Sequence, residues 1–247
     1  EMCIRDRRNK AVVVMCADNG VVAEGISQSG QDVTQIITEN LGKGTSTVCH
    51  MARAAGADVI PVDIGVASDI HSSGVVHRKI ARGTQNFAKQ PAMSRDQAVQ
   101  AIGVGIETAL LCRQHGYDVV ATGEMGIGNT TTSAAVSCVL LDRAPEEMTG
   151  RGAGLSDDGL RRKIEVIYKG IAINHPEKTD VIGVLSALGG LDVAGLCGVF
   201  LGGALENIPV IIDGFISSVA ALCAARLCPT ATKLSLIHIS EPTRQEA

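Results

Sequence analysis

Apolar residues along this chain fall into two kinds of run. Short β-branched stretches bounded by turn residues recur at KAVVVMCAD (10–18), DVIPVDIGV (58–66), YDVVATGEMG (117–126) and NIPVIIDG (207–214). Each reads as a buried strand running into a turn. Between them the apolar positions take helical spacing. V-x-x-I-I-x-x-x-L and the Ala-rich stretch after it predict one long or two short helices over 32–55, interrupted near GKGTS (42–46). Ser94 is placed to cap a helix reaching about Gln114, with Ala98, Ile102, Ile106, Leu110 and Leu111 on its apolar face. Further helices are predicted over 131–141, 154–173, 178–205 with a glycine break, and from Gly214 to about Leu227. Strands alternating with helices imply an α/β fold, a doubly wound and mainly parallel sheet with helices on both faces in three layers. Ligands of such sheets sit beyond the carboxyl ends of the strands. Asp18, Asp63, Glu124 and Asp213 fall there.

Composition narrows the class. The 247 residues are 45% hydrophobic and 19% charged, with 28 Gly and no Trp, so the chain can bury a sizeable core and is not a disordered one. A net charge of −4 and 2% aromatics leave neither the basic stripe nor the stacking rings of a nucleic-acid surface. The 8 cysteines are scattered through apolar runs without a C-x-x-C or a zinc-ligand spacing, which fits reduced thiols in a cytoplasmic protein. No cofactor or metal is expected. The 6 histidines show no triad spacing. The run from Val181 to Leu205 is long enough to span a membrane and contains G-x-x-x-G (Gly198 to Gly202). Asp192 inside it and the Gly189–Gly190 break predict a buried helix pair instead. The ends, 1–7 and 234–247, fit nothing that adjoins them and resemble translated sequencing adapter. The native α/β domain is therefore expected over 8–233, as a fragment cut at both ends.

The candidate chemistry lies in the loops. GEMGIGNTTTSAA (123–135) places Gly126 and Gly128 before a helix start, where backbone amides and the helix dipole can hold an anion and Thr130 can add a hydroxyl. The same residues also suit a plain strand-to-helix turn capped by Asn129 or Thr130. Neither a P-loop nor a G-x-G-x-x-G fingerprint occurs. GRGAGLSDDG (150–159) is a second glycine loop, again either an anion cradle or a flexible turn. Its Asp157–Asp158 pair reads as a helix cap, and Lys163, one turn on, is either a surface lysine or a phosphate contact. The long irregular loop over 17–34 and DGFISS (213–218) complete the set.

In order, ADNGVVAEGISQSGQDVT, GADVIPVDIGV, GEMGIGNTTTSAA, RGAGLSDDGLRRK, ALGGLDVAG and IPVIIDGFISS resemble the nicotinate-nucleotide–dimethylbenzimidazole phosphoribosyltransferases of cobalamin lower-ligand assembly, over about 8–230. The resemblance implies transfer of phosphoribose from nicotinate mononucleotide to a benzimidazole, with inversion and without a metal, because the pyridinium is already a cationic leaving group. It assigns Glu124, Gly126, Gly128, Asn129 and Thr130 to the ribose and phosphate. Gly152, Gly154 and Lys163 would approach the phosphate from the second loop, and Gly214, Phe215 and Ser217 from the last. Ser27, Ser29 and Gln31 would cover the benzimidazole, in a loop where many relatives carry proline at the position of Gly30.

The family's general-base glutamate lies in an R-L-G-E-G segment that this chain lacks, so no catalytic residue is assigned, and the family's smaller helical domain is largely missing. The resemblance further implies a homodimer. A non-catalytic nucleotide-binding module and an unstable truncation are the alternatives. A dinucleotide-dependent oxidoreductase would require a glycine fingerprint where ADNGVV stands.

Overall fold

The computed structural model describes residues 9–152 and 154–237. Six parallel strands form one sheet: β1 (Lys10–Ala17), β2 (Ala57–Gly65), β3 (Val76–His77), β4 (Val119–Met125), β5 (Val210–Ile212) and β6 (Ser235–Ile237). Their spatial order is β3-β2-β1-β4-β5-β6, so the winding direction reverses between β1 and β4. That reversal opens a crevice at the carboxyl ends of the two strands, the usual ligand position in this architecture. Register fixes what meets there: Met15 pairs with Glu124 and Cys16 with Met125, while Cys16 pairs with Asp63 before a shift that sets Ala17 against Gly65.

A parallel sheet must be covered on both faces, and the alternation in β1 shows how. Val13, Met15 and Ala17 enter the large core, and Val14 and Cys16 the small one with Leu41, Cys49 and Val66. The small core lies under α1 (Asp32–Gly42) and α2 (Thr47–Ala55), which lie on either side of the predicted interruption. The large core holds α3 (Arg95–Gln114), α4 (Asn129–Leu141), α5 (Pro145–Met148), α6 (Asp157–Asn174), α7 (Val181–Leu188), α8 (Leu191–Leu205) and α9 (Gly214–Leu227). The three-layer doubly wound expectation therefore holds. Ser94 caps α3 by accepting from the Gln97 amide, as its position predicted.

The run over 181–205 is the buried pair α7–α8. Among the described residues no helix is long and apolar enough to cross a membrane. The small residues in α8 serve close packing on α3. A Cβ on Gly198 would stand 2.9 Å from the Gly105 Cα, so the two backbones touch where glycines face each other. Strand β3 and helix α5, too short to show periodicity, were not expected.

Among the described cysteines, Cys16, Cys49, Cys112, Cys138, Cys197 and Cys223 are buried and free, and Cys228 is exposed. A hydrogen bond with Thr230 holds the Cys228 thiol below its ordinary range, whereas burial pushes Cys16 and Cys223 up to about 12. Thiolate availability controls thiol reactivity. A thiol titration of the folded protein should therefore modify Cys228 and spare these six until denaturant is added. Fast modification of any buried one would contradict the core described. Of the ends expected to be non-native, 1–7 and 238–247 lie outside the described residues; Ser235–Ile237 pair with β5 as the sheet's edge.

Candidate anion-binding site

The loop after β4 turns sharply because of its glycines. A Cβ on Gly126 would stand 2.7 Å from the Asp192 carboxylate and 3.1 Å from the Asn19 amide. Gly128 sits at φ 92°, a left-handed conformation that favours glycine, and a Cβ there would meet the Val22 side chain at 2.8 Å. Gly128 is also the N-cap of α4 and has no side chain to close the first turn. Neither Asn129 nor Thr130 caps the helix: both lie inside it. The dipole of a 13-residue helix thus points its positive end at the crevice, although the Asn129, Thr131 and Thr132 amides already donate to the Gly126 and Gly128 carbonyls.

The second glycine loop folds over this opening. Lys163, on α6, is buried to 1% exposure. Its Nζ donates to Thr130 Oγ1 at 2.8 Å and to the Gly150 carbonyl at 3.2 Å. It is in none of the ion pairs among the described residues, and desolvation lowers its pKa from 10.5 to about 8. The reading of Lys163 as a surface lysine therefore does not hold. Gly152, at φ 58°, completes the cluster: a Cβ there would lie 3.2 Å from Thr130 Oγ1 and 3.7 Å from Lys163 Nζ. These groups line a cavity of about 100 Å³ together with Ser27, Gln28, Gly126, Gly128, Asn129 and Arg151. A buried ammonium without a carboxylate is costly unless an anion arrives to pair with it.

Asn129 ties the cradle to two carboxylates. Its Nδ2 donates to Glu124 Oε2 at 2.5 Å and to Asp192 Oδ2 at 3.1 Å. Burial raises the pKa of Glu124, and the Asn129 hydrogen bond pulls it back. Asp192 is raised to about 7, first by burial and then by the charge of Glu124. Glu124 also lines a 420 Å³ hollow between β4 and the α1–α2 pair. On the other side Thr130 and Gly152 border a 430 Å³ hollow with Met148 and Phe215. Phe215 is 40% exposed at the start of α9, directly after Gly214 at φ 83°.

The remaining candidates divide. Ser27 reaches the cavity, but Ser29 and Gln31 shape their own loop: the Ser29 amide donates to Ser27 Oγ at 3.2 Å and Gln31 Nε2 to the Asn19 carbonyl at 3.2 Å. Ser217 is buried behind the strands, with its hydroxyl 2.5 Å from Thr122 Oγ1. Gly154 is reached through its carbonyl, which accepts from Gln28 Nε2 at 3.0 Å and latches the two loops together. Asp157 and Asp158 occupy the first turn of α6 behind its Ser156 cap and pair with Arg151 and Arg161, as the capping reading requires. Sequence reasoning missed Asp192 and Asn19 as site residues. A lone aspartate in the apolar run over 181–205 was the available signal for the first.

The site thus combines a doubly wound sheet, a helix start without a side-chain cap and a buried lysine that is in no ion pair among the described residues, all at the switch point. The chain belongs to the phosphoribosyltransferase family, whose sequence pattern matches residues 3–242. It is 52% identical over 220 residues to the nicotinate-nucleotide–dimethylbenzimidazole phosphoribosyltransferase of Acetivibrio thermocellus, covering 89% of this chain and 63% of that protein. The Clostridium acetobutylicum enzyme of the same name is 47% identical over 222 residues, covering 90% and 63%. This chain thus spans about 63% of the length of these curated relatives. Among solved structures, CobT from Thermus thermophilus superposes with a TM-score of 0.88 at 35% identity, covering 93% of this chain and 69% of that one.

Proposed function

We propose that this chain is the nucleotide-binding part of an enzyme that transfers phosphoribose from nicotinate mononucleotide to 5,6-dimethylbenzimidazole, giving α-ribazole 5′-phosphate and nicotinate in cobalamin biosynthesis. One observation carries the reading. Lys163 is buried with Thr130 and Gly150 as its only hydrogen-bond partners among the described residues, beside an uncapped helix N-terminus. A 5′-phosphate placed there would pair with the ammonium and meet the positive end of the α4 dipole. The ribose then lies toward Asn129 and Glu124, where a carboxylate can accept from its hydroxyls. Phe215 and Gly214 offer an exposed surface on the other flank.

The chemistry needs little more from the protein than placement. The pyridinium of the donor leaves as neutral nicotinate nitrogen while the base nitrogen attacks the anomeric carbon from the opposite face, and holding the two in line supplies much of the rate. Removal of the benzimidazole proton calls for a general base. Glu124 is already bound to Asn129 and is assigned to binding; the family's base glutamate is not in this chain. We therefore infer binding with little or no turnover by this polypeptide, and a homodimer working in the cytoplasm for the whole enzyme, the latter in keeping with the free buried thiols.

Calorimetry with nicotinate mononucleotide, followed by a turnover assay with dimethylbenzimidazole, tests this reading. Binding with no α-ribazole phosphate formed is the expected outcome. Robust turnover would overturn the assignment of an incomplete active site, and absence of binding would overturn the cradle.

A further inference from the structure

Asp192 lies in the first turn of α8, on the floor of the cradle, and does not reach the cavity. It is fully buried and in no ion pair among the described residues. Its Oδ2 accepts from Asn129 Nδ2 and its Oδ1 from the Val193 amide at 2.9 Å. The same Asn129 nitrogen serves Glu124, so two carboxylates share one amide. A further buried oxygen faces them. Asn19 Oδ1 has no hydrogen-bond partner, while its Nδ2 donates to the Ile127 carbonyl at 3.4 Å. A Cβ on Gly190 would collide with Asp192 Oδ1 and lie 2.5 Å from Asn19 Oδ1, so both oxygens border the space that the missing Gly190 side chain leaves. With the Asn19 amide oriented by its bond to the Ile127 carbonyl, two acceptors border one dry space and repel unless a proton lies between them, which the carboxyl can carry.

We propose that Asp192 is a positioning residue, held as the neutral acid: it donates to Asn19 Oδ1, anchors the Asn129 amide through Oδ2, and leaves the cluster's single negative charge on Glu124. The titratable group whose charge acts on it is Glu124 on β4; the Cys16 thiol on β1, which feels the Asp192 charge from the small-core face, is itself pushed up to about 12. Burial and the Glu124 charge act in the same sense, raising Asp192 to about 7. The functional logic rests on the proposed phosphoribosyl reading: a second carboxylate charge under an anion site would repel the phosphate that Lys163 is placed to hold.

Two measurements decide it. Infrared difference spectra of the ligand-free protein near pH 6, below the raised Asp192 value of about 7, should show a protonated-carboxyl band that disappears in Asp192→Asn and does not shift when glutamate carboxyl carbons carry ¹³C. Should Asp192→Asn not fold, wild-type protein labelled with ¹³C at aspartate carboxyl carbons should shift that band, and Asp18→Asn should keep the shift. Absence of the band, its survival in Asp192→Asn, or its shift with the glutamate label overturns the proposal. The second measurement is calorimetry with nicotinate mononucleotide. Asp192→Asn, which can still donate and accept, should keep affinity within about threefold, while Asp192→Ala loses about tenfold by freeing Asn129 and Asn19. Equal losses in both variants mean that the charge is needed, and no loss in either means no positioning role; both overturn it. If wild type binds no mononucleotide, the phosphoribosyl reading fails, and the infrared result still decides where the proton sits.

Discussion

Gly105→Ala is expected to cost about 3 kcal/mol of stability. The added Cβ would collide with the Gly195 carbonyl oxygen and stand 2.7 Å from the Val199 nitrogen and 2.8 Å from the Gly198 carbonyl carbon. All three are backbone atoms of α8, which cannot rotate away, so the helix pair must separate along its length. Overpacking of this kind typically costs about 1–3 kcal/mol and sometimes more, against a gain of about 1 kcal/mol from replacing a mid-helix glycine. Gly103, two residues earlier on α3, supplies the control. Nothing lies within 4 Å of a Cβ there, so Gly103→Ala should stabilise by up to about 1 kcal/mol. In thermal melts the first variant should fall by about 6–12 °C and the second rise slightly. Equal melting temperatures would contradict the α3–α8 contact.

The second large effect is at Lys163. Lys163→Met should raise stability while removing phosphate affinity, because the wild-type side chain holds a buried charge with no carboxylate beside it. Replacing such a group by an apolar one of similar length is often stabilising, whereas charge-assisted hydrogen bonds to an anion are worth about 1.5–3 kcal/mol, or roughly ten- to a hundredfold in affinity. The pH dependence follows from the direction of the shift. Lys163 is lowered from 10.5 to about 8, so between those values the unfolded chain holds a proton that the folded one has released, and stability gains from this group as pH rises. Phosphate affinity runs the other way. It needs the ammonium, so it should weaken above about pH 8, and it needs the phosphate dianion, whose second pKa is about 6. Methionine should abolish the upper limb of that profile.

Most of the scaffold could be read from periodicity, since a parallel sheet leaves continuous apolar strands and the Gly189–Gly190 pair separates α7 from α8. Backbone demands alone made the site legible at Gly126 and Gly128, and the family resemblance added Asn129, Thr130, Gly152 and Lys163, which line the same cavity. The burial of Lys163 was not legible, because it depends on Gly150 and Gly152 lying against Thr130 and on a contact between residues 33 apart in sequence. Ser217 fails for the mirror reason: beside an exposed Phe215 it has the sequence surroundings of a site residue, but the turn of α9 directs it inward to Thr122. Asp192 was used only as evidence against a membrane span. Its meeting with Glu124 through one asparagine amide follows from α8 crossing under β4, which no local pattern encodes.

The central claim is that the cavity around Lys163 is a seat for a sugar phosphate. It is tested most directly by titrating nicotinate mononucleotide and its dephosphorylated riboside into wild-type and Lys163→Met protein at about pH 7, below the lowered lysine value of about 8. The mononucleotide should bind wild type at least about tenfold more tightly than the riboside, and that preference should vanish in the variant. Equal binding of the two ligands by wild type, or an undiminished preference in Lys163→Met, would contradict it.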